Sequence, residues 1–158
     1  MCAKIFLNKT TVIEINNELI ENLLCFRQLG NEPESGGVFV GKRLFNETIL
    51  IVDFSKPSKK DFQRRYHFSK KSSHHQKLVD EHFTESQGYI SLIGEWHTHP
   101  EEIPIASRVD KRSWNKIIEE NKDERLFFLI IGNKSCAIYF RELTKWRTVE
   151  INLERDLI

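Results

Sequence analysis

Apolar residues recur along the chain with two periods, one of two residues and one close to 3.6, and the switches between them predict the elements. TVIEI (11–15) reads as a strand. It runs into Asn16 and Asn17, either of which caps a helix carrying Leu19, Ile20, Leu23, Leu24 and Phe26 at helical spacing and stopping at Gly30. NEPES is a turn, GGVFVG (36–41) a short apolar strand, and TILIVDF (48–54) a second strand with β-branched bias, the two forming a hairpin. The stretch 56–71, KPSKKDFQRRYHFSKK, reads as a loop followed by a short strand around 65–68. Ser72 or Ser73 caps a helix to about Ser86, with Leu78, Val79, His82 and Phe83 facing inward and Gly88 ending it. YISLIGEWHTHP is a strand stopped by Pro100, which has no N–H to offer a ladder. SRVDKRSWNKIIEEN (107–121) is a capped helix with Val109, Trp114, Ile117 and Ile118 available to a core. LFFLIIG is short and fully apolar, as a central strand is, and SCAIYFR and KWRTVEINL are two further strands, the first joined to LFFLIIG by the turn GNKS. This order predicts an α/β fold with a single mixed β-sheet packed with helices, in one domain spanning 1–158.

Composition narrows the class. A chain of 158 residues fits one ordinary domain, and 39% apolar residues with eleven Phe and three Trp argue for a packed core over disorder. Lys and Arg number 24 against 23 Asp and Glu, so the net charge of +1 offers no global attraction to nucleic acid or to a membrane surface. Cys2, Cys25 and Cys136 are odd in number and far apart, which fits neither a disulfide framework nor a cysteine-paired zinc site and points to a reducing compartment. Without a signal-peptide pattern or a run long enough to span a bilayer, the expectation is a cytoplasmic protein.

The chemistry concentrates in EWHTHPEEIPIASRVD (95–110). His97 and His99 lie two apart at a strand end, so their imidazoles leave one face of the pleat and converge, while Thr98 faces away. Pro100 restricts His99 to extended backbone. Ser107 and Asp110 are three apart at a helix start and project from one side of its first turn. Two neutral imidazoles and a carboxylate suit Zn2+ and leave a fourth position open, as in a catalytic site. The five residues His, His, Pro, Ser and Asp at these offsets arise by chance in fewer than about one chain in ten thousand, which favours a metal over stray surface histidines. A proton acceptor must stand beside the metal's water. Glu34, just ahead of Gly36 and Gly37 where backbone can approach closely, is one candidate, and Glu32 is its rival.

A glutamate before a Gly-Gly strand, then His-x-His-Pro, then Ser-x-x-Asp resembles the JAB/MPN family of JAMM zinc metalloproteases. The seven residues between His99 and Ser107 match that family's motif without a gap, and the resemblance covers 34–114. It implies that His97, His99 and Asp110 are zinc ligands, that Glu34 is the general acid/base, and that Ser107 stabilises the oxyanion. It also implies the family's cytidine-deaminase-like sandwich. YISLIGEWHTHPE is most similar to the stand-alone bacterial branch, in particular the JAB isopeptidases of CBASS anti-phage operons. The implied activity is cleavage at the C-terminal tail of a ubiquitin-like protein or of a conjugated target such as a nucleotidyltransferase C-terminus. Homologues of ubiquitin-activating and ubiquitin-conjugating enzymes are the implied partners. Ala106 stands where this branch often has proline, and the segment after Asp110 has no room for the long insertions of eukaryotic relatives.

Other signals have blander readings beside the functional ones. Glu95 shares a strand face with His97 and is a candidate partner for a ligand imidazole. Trp96 and Trp114 suit a core or a pocket wall. His67, His74, His75 and His82 show no recognised ligand spacing. The basic run 56–71 is a solvated loop, or else a docking face for an acidic partner or nucleic acid. Three rival functions remain: a non-catalytic scaffold of the MPN type, a zinc nucleobase deaminase, and a DNA-repair role like that of other bacterial His-x-His-Pro proteins. The deaminase needs a Pro-Cys-x-x-Cys motif that is absent, and neutral net charge weakens the repair reading.

Overall fold

The computed structural model describes residues 1–157. Its main element is an eight-stranded sheet in the order β1-β2-β4-β3-β7-β8-β9-β10. The strands are β1 (Cys2–Phe6), β2 (Val12–Asn16), β3 (Gly36–Arg43), β4 (Thr48–Phe54), β7 (Ser91–Thr98), β8 (Phe127–Ile131), β9 (Ser135–Glu142) and β10 (Lys145–Asn152). The pairs β2–β4 and β7–β8 are parallel and the other neighbours antiparallel, so the sheet is mixed as expected. A second, two-stranded sheet joins β5 (Phe62–Arg64) to β6 (His67–Ser69). Three α-helices, α1 (Asn17–Leu24), α2 (His74–Glu85) and α3 (Arg108–Glu120), pack on the sheet, and a short π-helical turn follows at Leu153–Leu157.

Both faces of the large sheet are covered, which is why β8 is apolar without alternation. Phe127, Ile131 and Trp96 join Ile13, Ile51 and the α1 residues Ile20 and Leu23 in one core. Phe128 and Ile130, pointing the other way, meet Trp114 of α3, whose ring stacks on Phe128 at 4.9 Å. The parallel pairing of β7 with β8 and the bond from His99 N to Ile131 O (3.0 Å) place the end of the His-x-His strand at the carboxyl edge of two parallel strands. That edge is where open α/β sheets bind ligands. Register does the rest: β3 and β7 run antiparallel with Gly36 opposite His97, so the chain entering β3 lies beside the chain leaving β7. The two glycines are required there. A Cβ on Gly36 would come within 2.4 Å of the Phe68 ring, and one on Gly37 within 2.2 Å of Ser55 O.

Several expected boundaries move. Helix α1 is capped by Asn16, whose Oδ1 accepts from Leu19 N at 2.8 Å, but it ends at Leu24 rather than at Gly30. The buried Gln28 takes its amide to backbone carbonyls of Glu32 and Arg65, a demand that draws the chain off the helical path. The basic stretch holds two short strands, with Arg65 and Tyr66 in the turn between them, because the pair supplies each strand with the ladder it lacks alone. Strand β1 has no counterpart in the pattern reading. It pairs with β2 and tucks Ala3 and Ile5 against the core. Phe83 on α2 and Val109 on α3 are exposed, not inward, and the side chain that α2 buries is His75.

Candidate metal centre

His97 and His99 leave the same face of β7, and their Nε2 atoms stand 3.0 Å apart. Asp110, in the first turn of α3, sets Oδ1 3.3 Å from His97 Nε2 and Oδ2 3.3 Å from His99 Nε2. One donor atom from each of the three side chains lies within 4.8 Å of the others, close enough for all three to reach a single ion. Both histidines are buried and Asp110 is half-buried, which leaves an open side toward a cleft of about 310 Å³ bordered by Glu34, Tyr66, Ser107 and Pro100. A second cleft of about 350 Å³ opens on the other side of Asp110, between β6 and α3.

Asp110 is held by the cap of its own helix. Ser107 Oγ accepts from Asp110 N at 3.0 Å, and Ser107 N donates to Asp110 Oδ2 at 2.8 Å. Burial pushes the Asp110 carboxyl up, but the hydrogen bonds from His97 and His99 outweigh it and hold the group well below the usual carboxylate range. His99 moves the other way from its burial. The surrounding carboxylates Asp110, Glu34 and Glu101 overcome desolvation and raise it. Among the described residues its buried Nδ1 has no hydrogen-bond partner, and Glu101 Oε1 lies 3.7 Å away.

Glu34 is buried with Oε1 4.0 Å from His99 Nε2. Burial is the main reason its carboxyl is pushed up to about 8; His99 opposes the shift, and Asp110 and Glu101 add to it. Glu32, the rival carboxylate, is exposed and folds back to accept from Gly30 N at 2.7 Å. The structure thus brings together His97, His99, Asp110, Glu34 and the exposed Ser107, and leaves Glu32 out.

Other candidates settle elsewhere. Glu95 pairs with Lys70 instead of an imidazole. Trp96 is core, donating from Nε1 to Ser55 O at 3.0 Å, and Trp114 packs 5.9 Å from the His97 ring as a wall of the site. Among the described residues Asp61, His74 and His75 form a second cluster of donor atoms. Its ring nitrogens are taken: His75 by Ser55 Oγ (2.5 Å) and Asp61 Oδ2 (2.8 Å), His74 by Ser72 Oγ (2.6 Å) and Lys56 O (2.5 Å). The basic stretch supplies Tyr66 and His67 to the cleft through the β5–β6 hairpin, a role with no mark in the hydrophobic period. Glu101 is the other neighbour that pattern reading passes over.

A family model described as prokaryotic homologs of the JAB domain matches residues 16–149. A protein of Vibrio cholerae serotype O1 (strain ATCC 39315 / El Tor Inaba N16961) named CD-NTase/cGAS isopeptidase is 37% identical over 143 residues, covering 88% of this chain and 90% of that one. A protein of the same name from Escherichia coli (strain TW11681) is 35% identical over 127 residues, 80% of each chain. The solution structure of protein DSY2949 from Desulfitobacterium hafniense shares the fold, with a TM-score of 0.60 at 20% identity over 85% of this chain and 88% of that one. On the extent of the family match and the identity to these relatives, the chain belongs to the prokaryotic JAB-domain family.

Proposed function

We propose that the protein is a zinc-dependent isopeptidase of the JAMM type, cutting the bond between the C-terminal tail of a ubiquitin-like protein, or of a conjugated nucleotidyltransferase, and its partner. The setting is bacterial anti-phage defence of the CBASS type, in the cytoplasm. One observation carries the reading: two imidazoles and a carboxylate converge on one point with a second, buried carboxyl beside them. Relatives named as isopeptidases of CD-NTase/cGAS support the substrate class.

His97, His99 and Asp110 would hold the metal, the two histidines through the Nε2 atoms that face each other and Asp110 through its carboxylate. Zinc in such a site polarises a scissile carbonyl and lowers the pKa of a water molecule. Glu34 is the proton carrier. Its carboxyl stands beside the ligand cluster, 4.0 Å from His99 Nε2, where it would take a proton from the attacking water and return it to the leaving amine. Ser107 uses an oxygen lone pair for the Asp110 N–H, which leaves its hydroxyl proton free for the oxyanion of the tetrahedral intermediate. A partner-binding scaffold without catalysis gains nothing from burying Glu34, whose burial costs stability once the carboxyl ionises.

The test combines metal analysis with cleavage of a nucleotidyltransferase carrying a conjugate at its C-terminus. Wild type should bind one zinc per chain and cleave. Glu34→Ala should keep the zinc and lose about 10² to 10⁴ of the rate. Equal cleavage by both would remove Glu34 from the mechanism, and a zinc-loaded wild type that cleaves nothing would refute the substrate class.

A further inference from the structure

Gln28 sits four residues past the end of α1 in a connecting segment, yet its side chain is 1% exposed. A buried primary amide must find partners for two N–H donors and a carbonyl. Gln28 finds all three on separate parts of the fold. Nε2 donates to Glu32 O at 3.0 Å, in the loop that carries Glu34, and to Arg65 O at 2.9 Å, in the β5–β6 turn. Oε1 accepts from Thr98 Oγ1 at 2.9 Å, between the two histidines. Turning the amide over would set its oxygen against two carbonyls, so the network allows one orientation.

Thr98 extends the connection. It is 0% exposed and lies on the face of β7 opposite the histidines. Its Oγ1 also accepts from Ser35 N at 3.0 Å, while its own N donates to Ser35 O at 2.9 Å. The residue after Glu34 is therefore fastened to the residue between the ligands. Glu34 itself is gripped from the hairpin side, its N donating to Arg64 O at 2.7 Å and its O accepting from Gln63 Nε2 at 3.0 Å. No regular ladder covers the 31–35 loop, so these bonds do the work that a strand pairing does elsewhere.

We infer that Gln28 and Thr98 are positioning residues that fix the Glu34 carboxyl relative to the His97–His99 pair, by fastening its loop to β7 and to the β5–β6 hairpin. This rests on the reading of Glu34 as general acid/base. Gln28 suits the role because it offers two donors and one acceptor at the end of two methylenes. Leucine has the bulk without the bonds, and glutamate would turn an oxygen toward two carbonyls. Misplacing a reacting group by about 1 Å costs about 10²-fold in rate, whereas metal binding by His97, His99 and Asp110 draws on neither side chain.

The experiment compares Gln28→Leu, Thr98→Val and Thr98→Ser with wild type, well below each protein's unfolding temperature. Three readouts are taken: bound zinc, kcat and KM on the conjugate above, and amide hydrogen exchange resolved by peptide. Gln28→Leu and Thr98→Val should bind full zinc and lose about 10- to 100-fold in kcat with KM little changed. Thr98→Ser, which keeps the hydroxyl, should recover most of the rate. Exchange should quicken in segments 31–36 and 63–67 of the first two variants, with β8 and β9 as protected as in wild type. A merely structural role would lower the unfolding temperature and leave kcat and local exchange unchanged in the folded variant, which would overturn the inference. Exchange reports on the clamp without any turnover, so an inactive wild type refutes the proposed substrate while the clamp stands or falls on local protection.

Discussion

Glu34→Gln in metal-free protein removes a titration while keeping the shape of the side chain. In the folded chain the Glu34 carboxyl is pushed from 4.5 up to about 8, chiefly by burial. A group raised in this way contributes stability that is complete below its unfolded value and is lost as pH rises through its folded one. Glutamine has no such term, so the variant should gain on wild type between about pH 5 and pH 9. Scaled by 1.36 kcal/mol per unit and reduced for partial solvent contact, the gain is on the order of 3 kcal/mol. For a chain of this size that is roughly 10 °C in unfolding temperature. The assay is thermal unfolding by circular dichroism in chelator-treated protein, wild type beside variant, across that pH range. Glu34 helps to raise His99, so the difference between the curves reports the Glu34 carboxyl together with its coupling to that imidazole. Zinc should flatten the wild-type dependence, because a nearby dication favours the carboxylate. Curves that run parallel from acid to alkaline pH would refute the reasoning, since the carboxyl would then ionise in the folded chain as it does in the unfolded one.

Ser107 serves as cap and as proposed oxyanion donor, and two substitutions separate the roles. Ser107→Ala should cost about 1 kcal/mol of stability and Ser107→Gly only a few tenths, while both lose about 10²- to 10³-fold in kcat. Asp61 is pushed up by burial but brought down to about 2 by the N–H groups of Ser72, Ser58 and Lys71 and by His75. A depressed carboxyl contributes stability that is present above its unfolded value near 3.8 and lost as pH falls through about 2. Asp61→Asn should therefore lower the unfolding temperature at neutral pH, with the gap from wild type closing as acid approaches that lower value. Chelation should lower the wild-type unfolding temperature, and added zinc should restore it. Asp110→Asn should show little shift with zinc in the same melts.

What the sequence made legible follows from how far apart the interacting residues lie. His97, His99 and Asp110 are readable because their geometry is local: a two-residue pleat, a seven-residue loop and the first turn of a helix. The β3–β4 hairpin and the apolar β8 were readable for the same reason, since period and turn chemistry act over a few residues. Glu34 is different. Locally only the two glycines after it set it apart from Glu32, and what decides between them is the register of β3 on β7, with Gly36 opposite His97. Family resemblance supplied what local physics does not hold. Gln28, Tyr66 and β1 were illegible because their partners are distant: Gln28 looks like one more polar residue of α1 until Arg65 and Thr98 are in place. Phe83 and Val109 show the reverse error, apolar residues at helical spacing that no neighbouring element covers.

The reading of Ser107 and Asp110 also shows why opposing a structural role to a chemical one can mislead. As a capping pair they mark a helix start, and as ligand and donor they mark a site, and the two descriptions compete only if each oxygen has one partner. Here Asp110 Oδ2 accepts the Ser107 N–H at 2.8 Å and still lies 3.3 Å from His99 Nε2. A carboxylate oxygen has lone pairs for both. The cap removes rotational freedom from Asp110, so the side chain is already held where the proposed site needs a ligand, and less of a metal's binding energy would go into ordering it. The same bonds that begin α3 therefore aim the proposed third ligand at the histidine pair.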